Sequence, residues 1–546
     1  MTATNTTPEP PKSAGEPLGN SASSGDRIPA RDSQFLQQNP HLQDLQDPYL
    51  QGPYLFDDPL GPLDGDLEGD LDVNLDGSLD GVPKTARIPH PSAFDQQHPP
   101  AQSVIDSCVH CGFCLSTCPS YRVLGTEMDS PRGRIYLMDA IANGEAALDE
   151  TTASHFDSCL GCLACTSVCP SQVGYDKLLA DMRPQLERNV PRNWRDRLIR
   201  TLVFNLFPYP RRLQAVMPGL WLYQKLGLQQ VVRQTGWLKK LSPQLAAMDA
   251  VLPNLPAKGL NPIAPRQIPA QGKRRYRVGM LLGCVQRSVL PQVNEATMGV
   301  LSALGCEVII PPDQGCCGAL PAHPGQENQA QDIAKAMIRA FDGVQQDKQL
   351  DAIIINAAGC GHTLKEYGGI LRDDPEWQSR GAAFSAQVRD IHEFLAEVVT
   401  AGNFDGELRA IAPEPLTVVY QDACHLLHGQ KISTPPRQLL AKIPGVELRE
   451  PMDASLCCGS AGVFNLLQPE IAEELGEQKV DNLLATGAQV IASPNPGCTL
   501  QIQKHLRERD QDHPDAVLGK VPVYHPIQLL DYSLRGEAIA IQSSEG

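Results

Sequence analysis

CVHCGFCLSTCP at residues 108–119 and CLGCLACTSVCP at residues 159–170 share one spacing, Cys-x2-Cys-x2-Cys-x3-Cys-Pro. Three thiolates in one tight loop can cap three corners of an iron–sulfur cube. The fourth cysteine enters a helix pointing away and reaches a second cube. The doubled run therefore predicts one 4Fe–4S cluster on Cys108, Cys111, Cys114 and Cys169, and another on Cys159, Cys162, Cys165 and Cys118. Zinc knuckles also gather four thiolates, around a tetrahedral ion. They do not account for the x2, x2, x3, Pro spacing repeated whole. Nothing in this stretch pairs an acid with a base or activates a serine, so the module reads as a carrier of single electrons.

The rest of the chain is consistent with that chemistry. It has 546 residues and 17 cysteines, with no apolar segment at the N-terminus (MTATNTTPEPPKS) that would serve as a secretory signal. So many cysteines in such a chain read as metal ligands or redox thiols, not as a disulfide frame. The formal net charge of −17 argues against nucleic acid as a partner. No run of 18 apolar residues suggests a spanning helix. The expected location is the cytoplasm, with peripheral contact at the inner face of a membrane as an extension.

The fold class expected is multi-domain. Residues 1–100 read as a disordered acidic tail, with 15 Asp+Glu against 3 Lys+Arg in residues 1–82. Asp72, Asn74, Asp76 and Asp80 imitate the front of a calcium loop, but position twelve is Pro83 and no helix flanks it, so a solvated tail is preferred. Residues 101–180 form an α-helical two-cluster domain, with a helix starting near Pro131. Residues 181–275 are a basic helical segment followed by a proline-rich linker. Residues 177–240 hold 13 Lys+Arg against 3 Asp+Glu and the tryptophans Trp194, Trp221 and Trp237. Short helices broken by Pro191, Pro208, Pro210 and Pro218 are expected there. Two readings stand for this segment: a surface that meets a membrane or an acidic partner, and an ordinary linker with a solvated basic face.

Beyond it the texture turns α/β, with short apolar runs between longer helical stretches. Gly283-Cys284 recurs as Ala423-Cys424, Cys316-Cys317-Gly318 as Cys457-Cys458-Gly459, and Gly359-Cys360 as Gly497-Cys498. The common offset of about 140 residues implies two tandem α/β cysteine-rich domains, at 276–400 and 415–535. Adjacent cysteines make a strained disulfide, so each Cys-Cys-Gly turn is expected to aim two thiolates at one site. Cys284, Cys316, Cys317 and Cys360 would form one metal or redox site, and Cys424, Cys457, Cys458 and Cys498 a second, gathered where the strands end. His323, His362, His425 and His428 are near enough in sequence to complete such a site or to serve structure alone. Cys306 has no counterpart in the second repeat and reads as a buried core thiol.

SPRGRIYLM at 130–138, GCCGALPAHPG at 315–325, NAAGCGHTLKEYG at 356–368, YQDACHLLHGQ at 420–430, CCGSAGVFN at 457–465 and SPNPGC at 493–498 accompany the paired cluster runs. In these motifs the chain, over about residues 101–535, resembles the iron–sulfur subunit of glycolate oxidase (glycolate dehydrogenase). The resemblance implies an oxidoreductase subunit that takes electrons from a partner flavoprotein oxidising glycolate to glyoxylate, and D-lactate as an extension. It would pass them to a quinone or another acceptor. FAD is expected on the partner, since no Gly-x-Gly-x-x-Gly fingerprint occurs here. Related subunits serve glycerol-3-phosphate dehydrogenase, lactate utilisation and heterodisulfide reductase. Domains of the last type end in Cys-x-x-Cys, whereas Thr363 and Gln501 stand at that final position here. A fifth thiolate is missing from each repeat, which argues against disulfide-reducing chemistry.

Overall fold

Two parallel sheets organise the C-terminal half of the computed structural model. It describes residues 92–255, 265–345, 348–402, 404, 406–512 and 521–541. The tail up to residue 91, including the calcium-loop imitation, and residues 256–264 of the linker lie outside the described residues.

The first sheet orders its strands β1-β3-β2-β4-β5: β1 Gln267–Ile268, β2 Tyr276–Met280, β3 Cys306–Ile309, β4 Ala352–Ile355 and β5 Val388–Asp390. All neighbours are parallel except β1, which the linker adds antiparallel to β3, with Gln267 opposite Ile309. The second sheet runs β7-β6-β8-β9, wholly parallel, from β6 Leu416–Tyr420, β7 Val446–Arg449, β8 Val490–Ala492 and β9 Val523–Tyr524. The central strands are apolar on both faces because helices cover both; β4, Ala-Ile-Ile-Ile, is buried throughout.

The two repeats exchange their last helices. Helix 391–400 ends the first repeat and packs on helix 434–440 of the second, while helix 526–535 ends the second and packs on helix 291–303 of the first. One continuous core results, joining Val300, Leu301 and Leu395 to Leu440, Leu529 and Leu530. His392 and His525, at the starts of the exchanged helices, stack with centroids 5.3 Å apart. The reciprocity fixes both sheets relative to each other, so their strand C-terminal edges face a common space.

Two sequence expectations are corrected here. The single cysteines do not end strands. β2 stops at Met280 and Cys284 opens helix 284–289; Cys360 and Cys498 lie in the first turns of helices 358–365 and 496–512, and Cys424 immediately precedes the short π-helical turn 425–429. Three to five residues separate each strand end from its thiol, so the thiols stand beyond the strand ends, along the same sheet edge. Pro218 does not break a helix: Pro210–Lys225 runs through it. One missing amide costs a single hydrogen bond, and the buried Leu213 and Met217 anchor the turns that lead into Pro218. Pro210 instead occupies the first helical turn, where its missing N–H costs nothing.

The N-terminal module is helical. Helix 131–142 starts at Pro131 under Ser130, whose Oγ accepts from Gly133 N at 2.9 Å. Helix 175–189 contributes Leu178, Met182 and Leu186 to a core shared with Ile135, Met138, Ile141 and Phe156. That core is the platform for both cysteine loops.

Candidate iron–sulfur and thiol sites

Each cysteine loop must turn its backbone inward around a cluster-sized space. Positive φ at the second and fourth residues after the first cysteine does this in both. In the first loop these are His110 (53°) and Gly112 (85°); in the second, Gly161 (63°) and Leu163 (63°). Each loop places one glycine at one of the two left-handed positions and accepts a side chain at the other.

The fourth cysteine of each run has neighbours in the other loop. Cys108 is held above its usual range first by burial, then by the adjacent Cys169 and Cys111 thiols. Cys165 is raised by burial and then by Cys162, Cys159 and Cys118. Thus Cys169 is within electrostatic reach of the first loop, and Cys118 within reach of the second loop as well as of Cys114 in its own. The donor set suits an iron–sulfur cluster: among the described residues every cysteine is a free thiol, and such a cluster takes four thiolates.

The two loops differ in their surroundings. Cys111 is exposed, and its neighbours Val109 and Phe113 are 68% and 66% exposed. Cys159 and Cys162 are buried. Burial opposes ionisation of Cys159, but the guanidiniums of Arg134 and Arg183 outweigh it and hold its thiol low. Arg134 is wholly buried. It donates to His155 O at 2.6 Å, Ser158 Oγ at 2.8 Å and Ser120 Oγ at 3.0 Å. Arg183 donates to Cys159 O at 2.7 Å. Neither arginine could be singled out from spacing alone: Arg183 lies 24 residues beyond Cys159 and meets it only through the fold.

In the C-terminal half each predicted foursome gathers. Cys284 Sγ stands 3.5 Å from Cys316 Sγ; Cys316 also meets Cys317, and Cys317 meets Cys360. In the second repeat Cys457 meets Cys424 and Cys458, and Cys458 meets Cys498. Asn495 Nδ2 donates to Cys498 Sγ at 3.3 Å. Among the described residues no three of these thiols lie within 4.8 Å of one another; each set is a chain of neighbouring soft donors, a chemistry that suits a thiophilic metal or cluster. Each set also has one cation: half-buried Arg287 beside Cys284 and Cys316, and fully buried Lys479 beside Cys458 and Cys457. Lys479 Nζ donates to Ala454 O at 2.7 Å. The positions where a fifth cysteine is missing are occupied for structure. Thr363 Oγ1 donates to Gly359 O at 3.2 Å, and Gln501 is held by Ala472 O at 3.1 Å and Asn465 Nδ2 at 2.9 Å. Cys306 is buried at the start of β3, its thiol pushed up to about 12 by burial and the Asp351 carboxylate.

The histidines serve the joint between modules. His425 Nε2 donates to Gly161 O at 3.0 Å, and His428 Nδ1 meets Ser167 Oγ at 2.7 Å. His323 stacks on His425 with centroids 5.0 Å apart, and His362 tilts against it at 4.8 Å. Burial keeps His323 and His425 neutral. The buried cysteine loop therefore docks onto the second repeat's thiols: Cys162 is raised by burial and then by Cys424, and Leu160, Cys162 and Ala164 share a core with Cys457 and Phe464.

Comparison with known proteins adds independent findings. A 4Fe-4S dicluster domain family matches residues 104–173, and a cysteine-rich domain family matches residues 278–365 and 418–503. Residues 195–252 match a family described as the linker region of the glycolate oxidase iron–sulfur subunit. The chain is 39% identical over 427 residues to a probable glycolate oxidase iron–sulfur subunit of Bacillus subtilis (strain 168), covering 78% of this chain and 93% of that one. It is 32% identical over 442 residues to the glycolate oxidase iron–sulfur subunit of Escherichia coli (strain K12), covering 80% and 96%. Lactate utilization protein A of an Exiguobacterium species is 28% identical over 243 residues, 44% of this chain and 94% of that protein.

Proposed function

The chain belongs to the family of glycolate oxidase iron–sulfur subunits, and from that premise we propose that it is the electron-transfer subunit of a 2-hydroxy-acid dehydrogenase whose substrate is glycolate. A partner flavoprotein carrying FAD oxidises glycolate to glyoxylate. Relatedness to a lactate utilization protein makes D-lactate the second substrate to test.

Cys108, Cys111, Cys114 and Cys169 would hold one 4Fe–4S cluster, and Cys159, Cys162, Cys165 and Cys118 the other. Such clusters, when bound, take and give one electron at a time. The residues around them set direction. The exposed loop, with Val109 and Phe113 beside it, is where the partner docks and electrons enter. The buried loop leads to Cys424 and Cys457. Arg134 and Arg183 stabilise the extra negative charge that arrives beside Cys159. The C-terminal foursomes would hold a further metal centre, with Arg287 and Lys479 offsetting its thiolates.

The observation that carries the reading is the seating of the second loop on the second repeat's thiols, which makes one path from an exposed entry to the sheet edges. Heterodisulfide-reductase-like chemistry finds no support at Thr363 and Gln501, which are both engaged in packing. Among the described residues no helix is long and apolar enough to cross a membrane.

The test is to purify the tagged native complex anaerobically, identify the flavoprotein, count iron, and follow dye reduction with glycolate, D-lactate and glycerol phosphate. Glycolate-dependent reduction with about eight irons in the N-terminal module is expected. Absence of a flavoprotein, or zinc in place of iron, would overturn the reading.

A further inference from the structure

A cavity of about 770 Å3 connects the two foursomes with the linker helices. Its inner end is lined by seven of the eight C-terminal cysteines, all but Cys458, with Ser460 and Asn495 as polar neighbours. Its wall is built by the linker: Leu206, Leu213, Met217 and Leu220 among others. Its outer end is open, because Leu202, Val216 and Trp237 line it and are exposed as well, Trp237 to 59%. A volume within roughly 300–1,000 Å3 and mainly apolar walls with a few polar groups, Asp249 and Tyr223 on the linker side among them, describe a site for a small lipophilic ligand.

The surface around the opening has its own character. Ten of the sixteen exposed large hydrophobics among the described residues fall between Trp194 and Leu241. The same 48 residues carry nine Lys+Arg against one acidic residue, Asp196. Exposed Arg195, Arg197, Arg211, Arg212, Lys225, Lys239 and Lys240 stand among exposed Trp194, Leu198, Leu222, Leu226 and Trp237. Mixed basic and bulky apolar side chains on short helices are the composition of a segment lying in the interface of an anionic bilayer. An acidic protein partner would meet the charges but leave this many apolar side chains without a purpose.

We propose that the cavity binds a lipophilic quinone, its ring at the cysteine end and its apolar tail along the linker helices, with the linker face seated on an anionic bilayer that supplies it. This rests on the electron-transfer reading above and adds the acceptor's site. The balance is complete. The hydroxy acid gives up two electrons and two protons as its alcohol carbon becomes a carbonyl. The two electrons arrive singly through this chain, and with two protons from water they convert both quinone carbonyls to hydroxyls. No covalent bond to the protein forms.

The experiment uses the full chain and its native complex. Equilibrium binding of decyl-benzoquinone to the full-length chain should be saturable at about one molecule per chain. Val216→Trp, which fills the opening, and Trp237→Ser, which removes its rim, should each weaken binding at least tenfold with iron content unchanged. Both positions are exposed, so folding is not at stake. Unsaturable binding, or saturable binding indifferent to both variants, overturns the site. Sedimentation with phosphatidylglycerol vesicles should exceed that with phosphatidylcholine vesicles and fall in a Leu226→Asp/Lys239→Glu/Lys240→Glu variant. A native complex that ignores both vesicles, with residues 220–241 protected from hydrogen exchange by its partner subunit, overturns the docking. If the wild-type complex fails to reduce a soluble dye with any hydroxy acid, the electron-transfer reading itself falls, and this inference with it. Dye reduction without quinone binding sinks only the inference.

Discussion

The loops 108–118 and 159–169 carry the same cysteine spacing and the same pattern of left-handed residues, yet they occupy opposite environments. The first has an exposed cysteine, two exposed apolar side chains and Arg132, which donates to His110 O at 3.0 Å while its charge is spent on Glu127 at 2.7 Å. The second is buried against another module and has two buried arginines aimed at it. Spacing fixes which thiols can share a cluster; the surroundings decide what that cluster does. Under the proposed function the exposed loop is the one met from outside, and the buried loop the one that hands on within the fold.

The strongest way to break the comparison is through the crossed cysteines. Cys169→Ser should abolish the signal of the cluster held by Cys108, Cys111 and Cys114 and spare the other. Cys118→Ser should do the reverse, and the double variant should lose both. EPR of the anaerobically reduced proteins reads this directly. Loss of one and the same signal in Cys169→Ser and Cys165→Ser would mean that ligation is not crossed.

Arg134→Leu should come next. It removes a buried charge from Asp129, 3.7 Å away. Breaking a buried pair costs about 3–5 kcal/mol, at the low end here because Ser158 Oγ still donates to Asp129 Oδ1 at 2.6 Å. The midpoint potential of one cluster should also fall by about 60 mV, the one-electron equivalent of tenfold in equilibrium constant. Arg134→Lys should restore much of the potential but not the stability, since an ammonium cannot reproduce the three-way fork. Arg132→Leu, at a surface pair worth about 0–1 kcal/mol, should move neither quantity by half as much. Denaturant midpoints and redox titrations of the four proteins test the set, and equal shifts for Arg132 and Arg134 would erase the distinction between the loops.

A third prediction separates the two exposed apolar faces. Burying a phenylalanine contributes about 1.5–3 kcal/mol, so Phe113→Ser should weaken binding of the flavoprotein partner roughly tenfold to a hundredfold. Trp237→Ser should leave that affinity unchanged. Surface-immobilised chain titrated with the partner gives both numbers, and a reversed order would exchange the roles of the two faces.

Recurring cysteine landmarks made the two repeats legible, and Pro131 ahead of a helical pattern made the helix there legible, because each is written within a dozen residues or as a repeated motif. The misplaced strand ends and the continuous helix through Pro218 are local errors of a few residues, where packing of Leu213 and Met217 outweighed a missing hydrogen bond. What could not be read was the meeting of distant groups. Arg183 reaches Cys159, His425 reaches Gly161 and Lys479 reaches Cys458 across 24, 264 and 21 residues. No local pattern marks such residues. The helix exchange that brings both thiol sets to one cavity is likewise a property of tertiary packing, invisible in either repeat alone.

The smallest effect expected is kinetic. An iron–sulfur cluster is lost in air by attack of oxygen and water on its iron and sulfide, so the rate follows solvent access more than ligand chemistry. Both loops offer four thiolates, which removes ligand type as a variable. The first loop has Cys111 at the surface, whereas Cys159 and Cys162 are buried and their rim is closed by Leu160, Ala164 and the second repeat's Phe464. On exposure of anaerobically purified protein to air, the cluster of Cys108, Cys111, Cys114 and Cys169 should therefore decay several-fold faster than its neighbour, followed by the two EPR signals in rapidly re-reduced samples. The partner flavoprotein, by covering Val109 and Phe113, should narrow the gap by slowing the faster decay alone. If the two signals fade together in the isolated chain, the clusters are equally accessible and the burial of the second loop does not shield it. If the partner slows the decay of the Cys159 cluster instead, it docks on the other face, and the direction of electron flow drawn from the comparison must be reversed.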